Sequence, residues 1–290
     1  MNYLILPFST LLVCFATFQK PSELQVTDLS KVPMAMCHTG PDDMKAFAND
    51  PAFQALHPAP LPLEYTGMGK KITFKTADGV KARGYFIKAK KKSNKWLFVY
   101  QEWWGLNEYI ERQSDIFYKD LDSTVNVLAL DMYDGKVSAD PKEAGKIMSE
   151  TKEERLNAIV GGAYKYAGKK ARVASVGWCF GGGWSLKSAL IGGNKSIGSV
   201  MYYGMPVRDV EKLKTLNCDV LGLFATEERI SKQVIEEFAA SMKTAGKSLE
   251  YKIFNGVHGF ANPSNPKYDE TLAKEAYGMA LGYLKKKFNS

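Results

Sequence analysis

The sequence predicts one α/β domain with a mostly parallel central sheet and helices on both faces. Short apolar runs alternate with segments of helical length over the last three quarters of the chain. Two of the runs, residues 96–101 and 173–178, are apolar almost throughout, as is typical of strands buried on both faces of a sheet. Strands that alternate with helices pair in parallel, because each crossover helix returns the chain to the same end of the sheet.

Composition is that of an ordinary globular protein. Of 290 residues, 45% are hydrophobic and 24% are charged, which excludes disorder as the dominant state. The net charge is +8, and basic residues concentrate at 88–92 and 285–287. We interpret these two runs as a solvated loop and a helix C-terminus, which the helix dipole favours. No recognition motif accompanies them, so no nucleic-acid partner is expected.

Residues 1–16 carry no charged side chain and are apolar almost throughout. The run is short for a bilayer span, and Cys14 and Ala16 supply the small residues of a signal-peptide cleavage site. We therefore expect a signal peptide at 1–16 and a periplasmic or secreted protein. The alternatives are a membrane anchor or, if the segment is misread, a cytoplasmic protein. Cleavage would leave Cys37, Cys179 and Cys218, enough for one disulfide and one free thiol.

Residues 17–66 are predicted to be a Pro-rich extension, with a short helix near 42–49, and residues 67–290 to be the α/β domain. Pro51, Pro58, Pro60 and Pro62 exclude a long regular element from the extension. The domain begins with a hairpin of 71–76 and 80–88 around the turn 77–79. The other predicted strands are 96–101, 125–131, 173–178, 197–203, 220–225 and 249–254, and the predicted helices are 107–121, those across 141–167, 182–192, 231–244 and 268–287.

The sequence Gly-Trp-Cys-Phe-Gly-Gly at 177–182 lies where a buried strand gives way to a helix. It matches the G-x-S-x-G nucleophile elbow with cysteine in place of serine. A sharp strand-to-helix turn strains the nucleophile's backbone and requires glycine where backbones approach closely. The helix N-terminus also favours the thiolate. Cys179 is therefore the predicted nucleophile, and the alternative is a buried structural cysteine.

A cysteine nucleophile requires a base, and the chain has three histidines. His258 follows the last predicted strand, which is where the base belongs in the order nucleophile, acid, histidine. His38 and His57 precede the sheet, and we interpret them as surface or packing residues. The acid should follow the strand at 220–225, where either Glu227 or Glu228 could accept the His258 N–H.

The loop Gln-Glu-Trp-Trp-Gly-Leu-Asn at 101–107 follows another buried strand. The loop after this strand normally supplies the second N–H of an oxyanion hole, so the backbone N–H groups of Trp103 and Phe180 are the predicted donors. Glu102 would then lie near Cys179, where a carboxylate opposes ionisation of the thiol.

Together, the segments 101–107, 129–135, 177–185 and 258–262 resemble the dienelactone hydrolase family of the α/β-hydrolase superfamily. The resemblance covers about residues 70–287 and implies an α/β-hydrolase fold. It implies that Cys179 is the nucleophile, that His258 is the base, and that Glu102 holds the resting thiol in check until substrate displaces it. Aligning Ile230-Ser231 with the family favours Glu227 as the acid, whereas counting from the strand favours Glu228.

Two departures from the family concern the substrate. Dienelactone-cleaving members have arginines where this chain has Asp134 or Gly135 and, four residues after the histidine, Asn262. Arginine forks bind carboxylates, so their absence points to a more neutral ester than dienelactone. The side chains expected near such a substrate are Trp103, Trp104, Tyr133 and Phe260.

These observations predict a hydrolase that cleaves a carboxylic ester or lactone through an acyl-thioester on Cys179. The expected partner is a small-molecule ester or lactone, and the protein is expected to be a monomer. No cofactor, no metal and no membrane partner beyond an N-terminal anchor are expected. The alternative is a non-catalytic binding protein of the same fold, in which the changed acid and the missing arginines signal decay. A thiol redox role is disfavoured because no C-x-x-C occurs.

Overall fold

Eight strands form one sheet in the computed structural model, which describes residues 43–290. They are β1 (Lys70–Phe74), β2 (Ala82–Ile87), β3 (Lys95–Tyr100), β4 (Asn126–Asp131), β5 (Arg172–Trp178), β6 (Ser196–Tyr202), β7 (Val220–Ala225) and β8 (Leu249–Phe254). Their order across the sheet is β1-β2-β4-β3-β5-β6-β7-β8. Only the pairs β1–β2 and β2–β4 are antiparallel. The predicted mostly parallel sheet is confirmed, as is the hairpin that opens it.

The helices alternate with these strands. They are α1 (Pro51–Ala55), α2 (Glu108–Asp120), α3 (Pro141–Glu150), α4 (Glu153–Ala167), α5 (Phe180–Gly192), α6 (Val210–Lys214), α7 (Lys232–Thr244) and α8 (Glu270–Asn289). The short α6, whose first N–H groups are capped by Asp209, has no counterpart in the sequence prediction. None of the described helices is both long enough and apolar enough to cross a bilayer.

Two short helical segments stand where one was expected near 42–49. A 3₁₀ helix spans Met44–Phe47, and α1 then begins at Pro51. Proline suits the first turn of a helix because its missing N–H has no partner there in any case. Asp50 caps α1 by accepting the N–H groups of Ala52 and Phe53. The extension therefore contains local order around Pro51.

The sheet places the predicted site residues at one end of its strands. Every residue of β4 and of β7 is buried, because helices cover the sheet. β3, β5, β6, β7 and β8 run parallel, so the loops that follow them all open at the same end. Ligands of open α/β sheets bind at the carboxyl ends of the strands, and this is where the predicted site residues lie.

Residues 40–290 form one compact unit, so the described part of the extension packs with the sheet. We call residues 43–58 the strap. The predicted signal peptide at 1–16, together with Cys14, Cys37 and His38, lies outside the described residues. Cys179 and Cys218 carry free thiols.

Candidate active site

The turn between β5 and α5 has the geometry of a nucleophile elbow. Cys179 adopts φ 55° and ψ −117°, a region that is strained for a residue with a side chain. The two flanking glycines are required by close approach: a Cβ at Gly177 would overlap the carbonyl oxygen of Gly181, and a Cβ at Gly181 would overlap that of Gln101. The backbone N–H of Cys179 donates to the Tyr202 carbonyl at 3.0 Å, which ties the elbow to β6.

His258 and Glu227 form a hydrogen-bonded pair beside this elbow. Nδ1 of His258 lies 2.7 Å from Oε1 of Glu227, and both side chains are almost fully buried. Because a carboxylate only accepts hydrogen bonds, Nδ1 carries a proton, and Nε2 is an acceptor whenever the ring is neutral. Nε2 has no hydrogen-bond partner among the described residues, and a ring nitrogen of His258 lies within 4.8 Å of the Cys179 sulfur. Glu228, by contrast, is exposed to solvent.

Burial and charge oppose each other at these side chains. Burial alone would lower the pKa of His258, but the Glu227 carboxylate and Cys179 raise it well above its usual value. Burial raises the pKa of the Cys179 thiol, and His258 partly offsets that increase. The site therefore stabilises a proton on His258 when the thiol gives one up.

His57 is in direct contact with Cys179. Its Nε2 lies 3.5 Å from the Cys179 sulfur, while its Nδ1 lies 2.8 Å from the Phe53 carbonyl oxygen. Its ring packs against the rings of Trp103 at 4.4 Å and His258 at 4.9 Å between centroids. Burial, followed by the nearby charge of His258, lowers the pKa of His57 to about 3, so this ring is neutral.

Of the two interpretations of His57, as a surface or a packing residue, the structure supports packing. The ring packs in the interior, and it does so directly against the sulfur of Cys179, which the sequence did not indicate. The sequence separation of 122 residues conceals this contact. One local feature, the short capped helix α1, positions the chain just before His57. This feature does not indicate which face of the domain the helix contacts.

Glu102 is buried and bonded to other side chains than the thiol. Tyr203 donates its hydroxyl to Oε1 at 3.3 Å, and the Asn262 amide donates to Oε2. Burial raises the pKa of Glu102 to about 7. Glu102 still disfavours the Cys179 thiolate through its charge. The hydrogen-bond partner of the sulfur is instead Nε2 of His57, at 3.5 Å.

The residues predicted as oxyanion donors, Phe180 and Trp103, lie on two segments that meet near Cys179. Phe180 is the first residue of α5, and its backbone N–H lowers the pKa of the Cys179 thiol. Trp103 follows β3 and is completely buried, with its ring between those of His57 and Trp104. The end of β3 and the start of α5 therefore meet beside Cys179, and the oxyanion hole itself stays a prediction.

Only one of the three further pocket residues lines the crevice that leads to the site. Trp104 does so together with His57, Glu102, His258 and Asn262, around about 240 Å³ of empty space that is partly open to solvent. Tyr133 instead packs on Phe180 at 5.2 Å, and Phe260 on Tyr203 at 5.5 Å. Both rings lie behind the crevice, because the loops that carry them turn their side chains into the core.

The ligand atoms of His57, Cys179 and His258 lie within 4.8 Å of one another, so these residues could approach a metal ion together. Tetrahedral zinc holds nitrogen and sulfur ligands at about 2.0–2.3 Å, so the widest of these separations would have to shorten. His57 and His258 are far apart in the sequence, and folding brings them together beside Cys179.

The pKa of Glu102 leads to a stability prediction. A carboxyl whose pKa rises from 4.5 to about 7 on folding favours the folded state below pH 4.5, and this contribution is lost as the pH rises through 7. We expect the Glu102→Gln variant to gain up to about 3 kcal/mol in unfolding free energy relative to wild type at pH 8, and little at pH 4. Urea denaturation of both proteins at the two pH values measures this difference. An equal difference at both would contradict the buried, protonatable carboxyl.

Comparisons with known proteins follow the same outline. The model of the dienelactone hydrolase family matches residues 82–288. A protein of Aquifex aeolicus provisionally named carboxymethylenebutenolidase is 28% identical over 229 residues, covering 75% of this chain and 98% of its own length. A Klebsiella pneumoniae structure, provisionally named a dienelactone hydrolase, has a TM-score of 0.65 at 19% identity and covers 76% of this chain and 99% of its own. Dienelactone hydrolase from Anabaena variabilis has a TM-score of 0.55 at 15% identity, covering 77% and 99%.

Proposed function

Because this chain belongs to the dienelactone hydrolase family, whose α/β-hydrolase fold it shares, we propose that it hydrolyses a carboxylic ester or lactone with a Cys179–His258–Glu227 triad. The observation that carries the proposal is the buried pair of His258 and Glu227 beside a cysteine in the elbow conformation. A ring nitrogen of His258 lies within 4.8 Å of the sulfur, and Nδ1 is the nitrogen already paired with Glu227. Glu227, rather than the exposed Glu228, is the acid of this triad.

In the acylation step, His258 Nε2 takes the thiol proton of Cys179 and the thiolate attacks the ester carbonyl carbon. The carbonyl oxygen becomes an oxyanion, which the N–H groups of Phe180 and Trp103 stabilise. Collapse of the tetrahedral intermediate breaks the bond to the alkoxide, and His258 gives that oxygen its proton. The products of this step are an alcohol and an acyl-thioester on Cys179.

Deacylation repeats these transfers with water. His258 accepts a proton from a water molecule as the hydroxide oxygen bonds to the thioester carbon. The carbon–sulfur bond then breaks, the sulfur recovers a proton from His258, and the carboxylic acid leaves. Glu227 keeps Nδ1 protonated and stabilises the imidazolium in both steps.

The charges of the crevice favour a neutral substrate. No lysine or arginine is among the described residues that line it, whereas Glu102 is. Asn262 donates to Glu102, and Asp134, at a place where relatives that cleave dienelactone have arginine, is paired with Arg155 at 2.6 Å. An anionic substrate would therefore meet the buried Glu102 carboxyl without a compensating cation.

We expect neutral short-chain p-nitrophenyl esters to be hydrolysed with kcat/KM at least about tenfold above that for anionic dienelactone, which corresponds to about 1.4 kcal/mol. Initial rates on a panel of both classes test the reaction and the preference together. Comparable values for the two classes would contradict the preference. No hydrolysis of any ester on a broad panel would contradict the catalytic function and favour the non-catalytic binding protein.

A further inference from the structure

The strap contributes to the site from outside the region that matches the family. The family match begins at residue 82, whereas His57 contacts the reactive sulfur from the end of the strap. The strap is attached on both sides of the elbow. Asp43 pairs with Lys187 of α5 at 2.8 Å, and Asp50 pairs with Arg229, which lies two residues after Glu227.

The hydrogen bonds of His57 determine its role at the sulfur. A carbonyl oxygen can only accept, so Nδ1 of His57 must donate to Phe53. In the neutral ring, Nε2 then carries a lone pair and no proton. At 3.5 Å from the sulfur, this lone pair can only receive the thiol proton in a hydrogen bond. The contact therefore requires that Cys179 is a neutral thiol whose S–H points away from His258.

The same ring also occupies the approach to the nucleophile. Cys179 is 1% exposed and His57 is 6% exposed, and the rings of Phe53 and Trp103 both pack against His57. A thiolate must reach the carbonyl carbon of an ester at bonding distance. The carbonyl carbon of an ester cannot come within bonding distance of the sulfur while His57 stays in contact with it.

We propose that His57 is the resting-state partner of the nucleophile: it accepts the Cys179 thiol hydrogen bond and covers the sulfur until an incoming ester moves it aside. The resting contact stands by itself, while the second half, in which the released thiol turns to His258, rests on the proposed function. His57 thereby performs the restraint that the family resemblance implies for Glu102. Because the acceptor belongs to the strap, the protonation state of the Cys179 thiol depends on the position of the strap.

This proposal makes the thiol harder to ionise. A hydrogen bond to the neutral thiol is lost when the proton leaves, so it raises the pKa of Cys179. The other titratable groups around the sulfur are His258, which lowers the pKa of the thiol through charge and a hydrogen bond, Glu102, which raises it through charge, and Tyr133 and Tyr203; all four remain when His57 alone is replaced.

The test is the pH dependence of alkylation of Cys179 by iodoacetamide, an uncharged reagent that reacts with the thiolate. It is measured peptide by peptide with mass spectrometry in the full chain. We expect His57→Phe, which keeps a ring over the sulfur but has no acceptor, to move the midpoint about 0.5–1 pH unit lower. Below the midpoint, this shift appears as about three- to tenfold faster labelling. His57→Gln, whose amide oxygen can accept at the same reach, should move the midpoint back toward wild type.

His57→Ala removes the cover as well as the acceptor. We expect it to lower the midpoint as His57→Phe does and also to raise the labelling rate at high pH, where all of the thiol is ionised. Cys218 is labelled in the same sample and serves as the control, because unfolding of a variant would accelerate its reaction too.

An unchanged midpoint in both His57→Phe and His57→Ala would overturn the resting contact, since a residue that only shields the sulfur changes the rate equally at every pH. An unchanged rate at high pH in His57→Ala would overturn the covering role. Labelling does not require hydrolysis. A shifted midpoint in a protein that hydrolyses no ester would therefore leave the resting contact standing while the proposed function fails.

Discussion

Replacing Cys179 by alanine is expected to lower kcat for a neutral p-nitrophenyl ester by about 10³-fold or more. The variant has no atom that can form the acyl-enzyme, and the crevice and oxyanion donors that remain give only weak catalysis. The steady-state rate, normalised to folded protein, is the measurement. In the wild-type protein, a rapid acid quench during turnover should trap one acyl group on the peptide that carries Cys179.

The chain provides a matched control in its other described free thiol. Cys218 lies outside the crevice lining and is only partly buried, next to Asp219 at the opposite end of β7 from Glu227. Cys218→Ala should leave kcat within about twofold of wild type, since it touches no residue of the site. Activity of Cys179→Ala close to wild type, or an acyl group found only on another residue, would remove Cys179 from the mechanism.

The second large effect concerns the two adjacent glutamates. Glu227→Gln is expected to lower kcat by about 10³- to 10⁴-fold. The amide has no charge to stabilise the imidazolium of His258, and it can also donate to Nδ1, which would favour the tautomer with its proton on Nε2. Glu228→Gln is the matched control, because it changes the net charge by the same amount at an exposed position one residue away.

Hydrolysis of the same ester by both variants, with thermal unfolding as the check on folding, separates the two glutamates. We expect Glu228→Gln to stay within about twofold of wild type. A large loss in Glu228→Gln with little loss in Glu227→Gln would mean that the loop after β7 rearranges when substrate binds. Equal, small losses in both would contradict a carboxylate as the third member of the triad.

Most of the fold could be predicted because its signals are local. The apolar run at 220–225 coincides with β7, and the run at 173–178 coincides with β5 except for its first residue. Such runs report burial on both faces of a sheet, which depends only on the strand itself. α6 was missed because five residues offer less than two turns of periodicity and their signal is a single capping aspartate.

The elbow was predictable for a different reason. Its glycines are required by backbone contacts that recur wherever a strand turns sharply into a helix, so the spacing in the sequence reflects a geometry. The pocket rings were harder to place. Tyr133 and Phe260 are aromatic residues of the type expected in a substrate pocket. The direction of a side chain, however, depends on how its loop leaves the strand, and both rings point into the core.

The sequence alone thus determined the sheet, the elbow, the nucleophile candidate and the order in which base and acid follow it, because each depends on residues close together in the chain. Only the tertiary structure shows that Glu227, and not Glu228, pairs with His258. The sequence cannot show this, because it does not determine which way each of two adjacent loop residues faces. Only the tertiary structure also gave Glu102 its partners Tyr203 and Asn262 and placed His57 on the sulfur. These contacts join residues from 101 to 160 positions apart, and the packing of whole elements decides which of them meet.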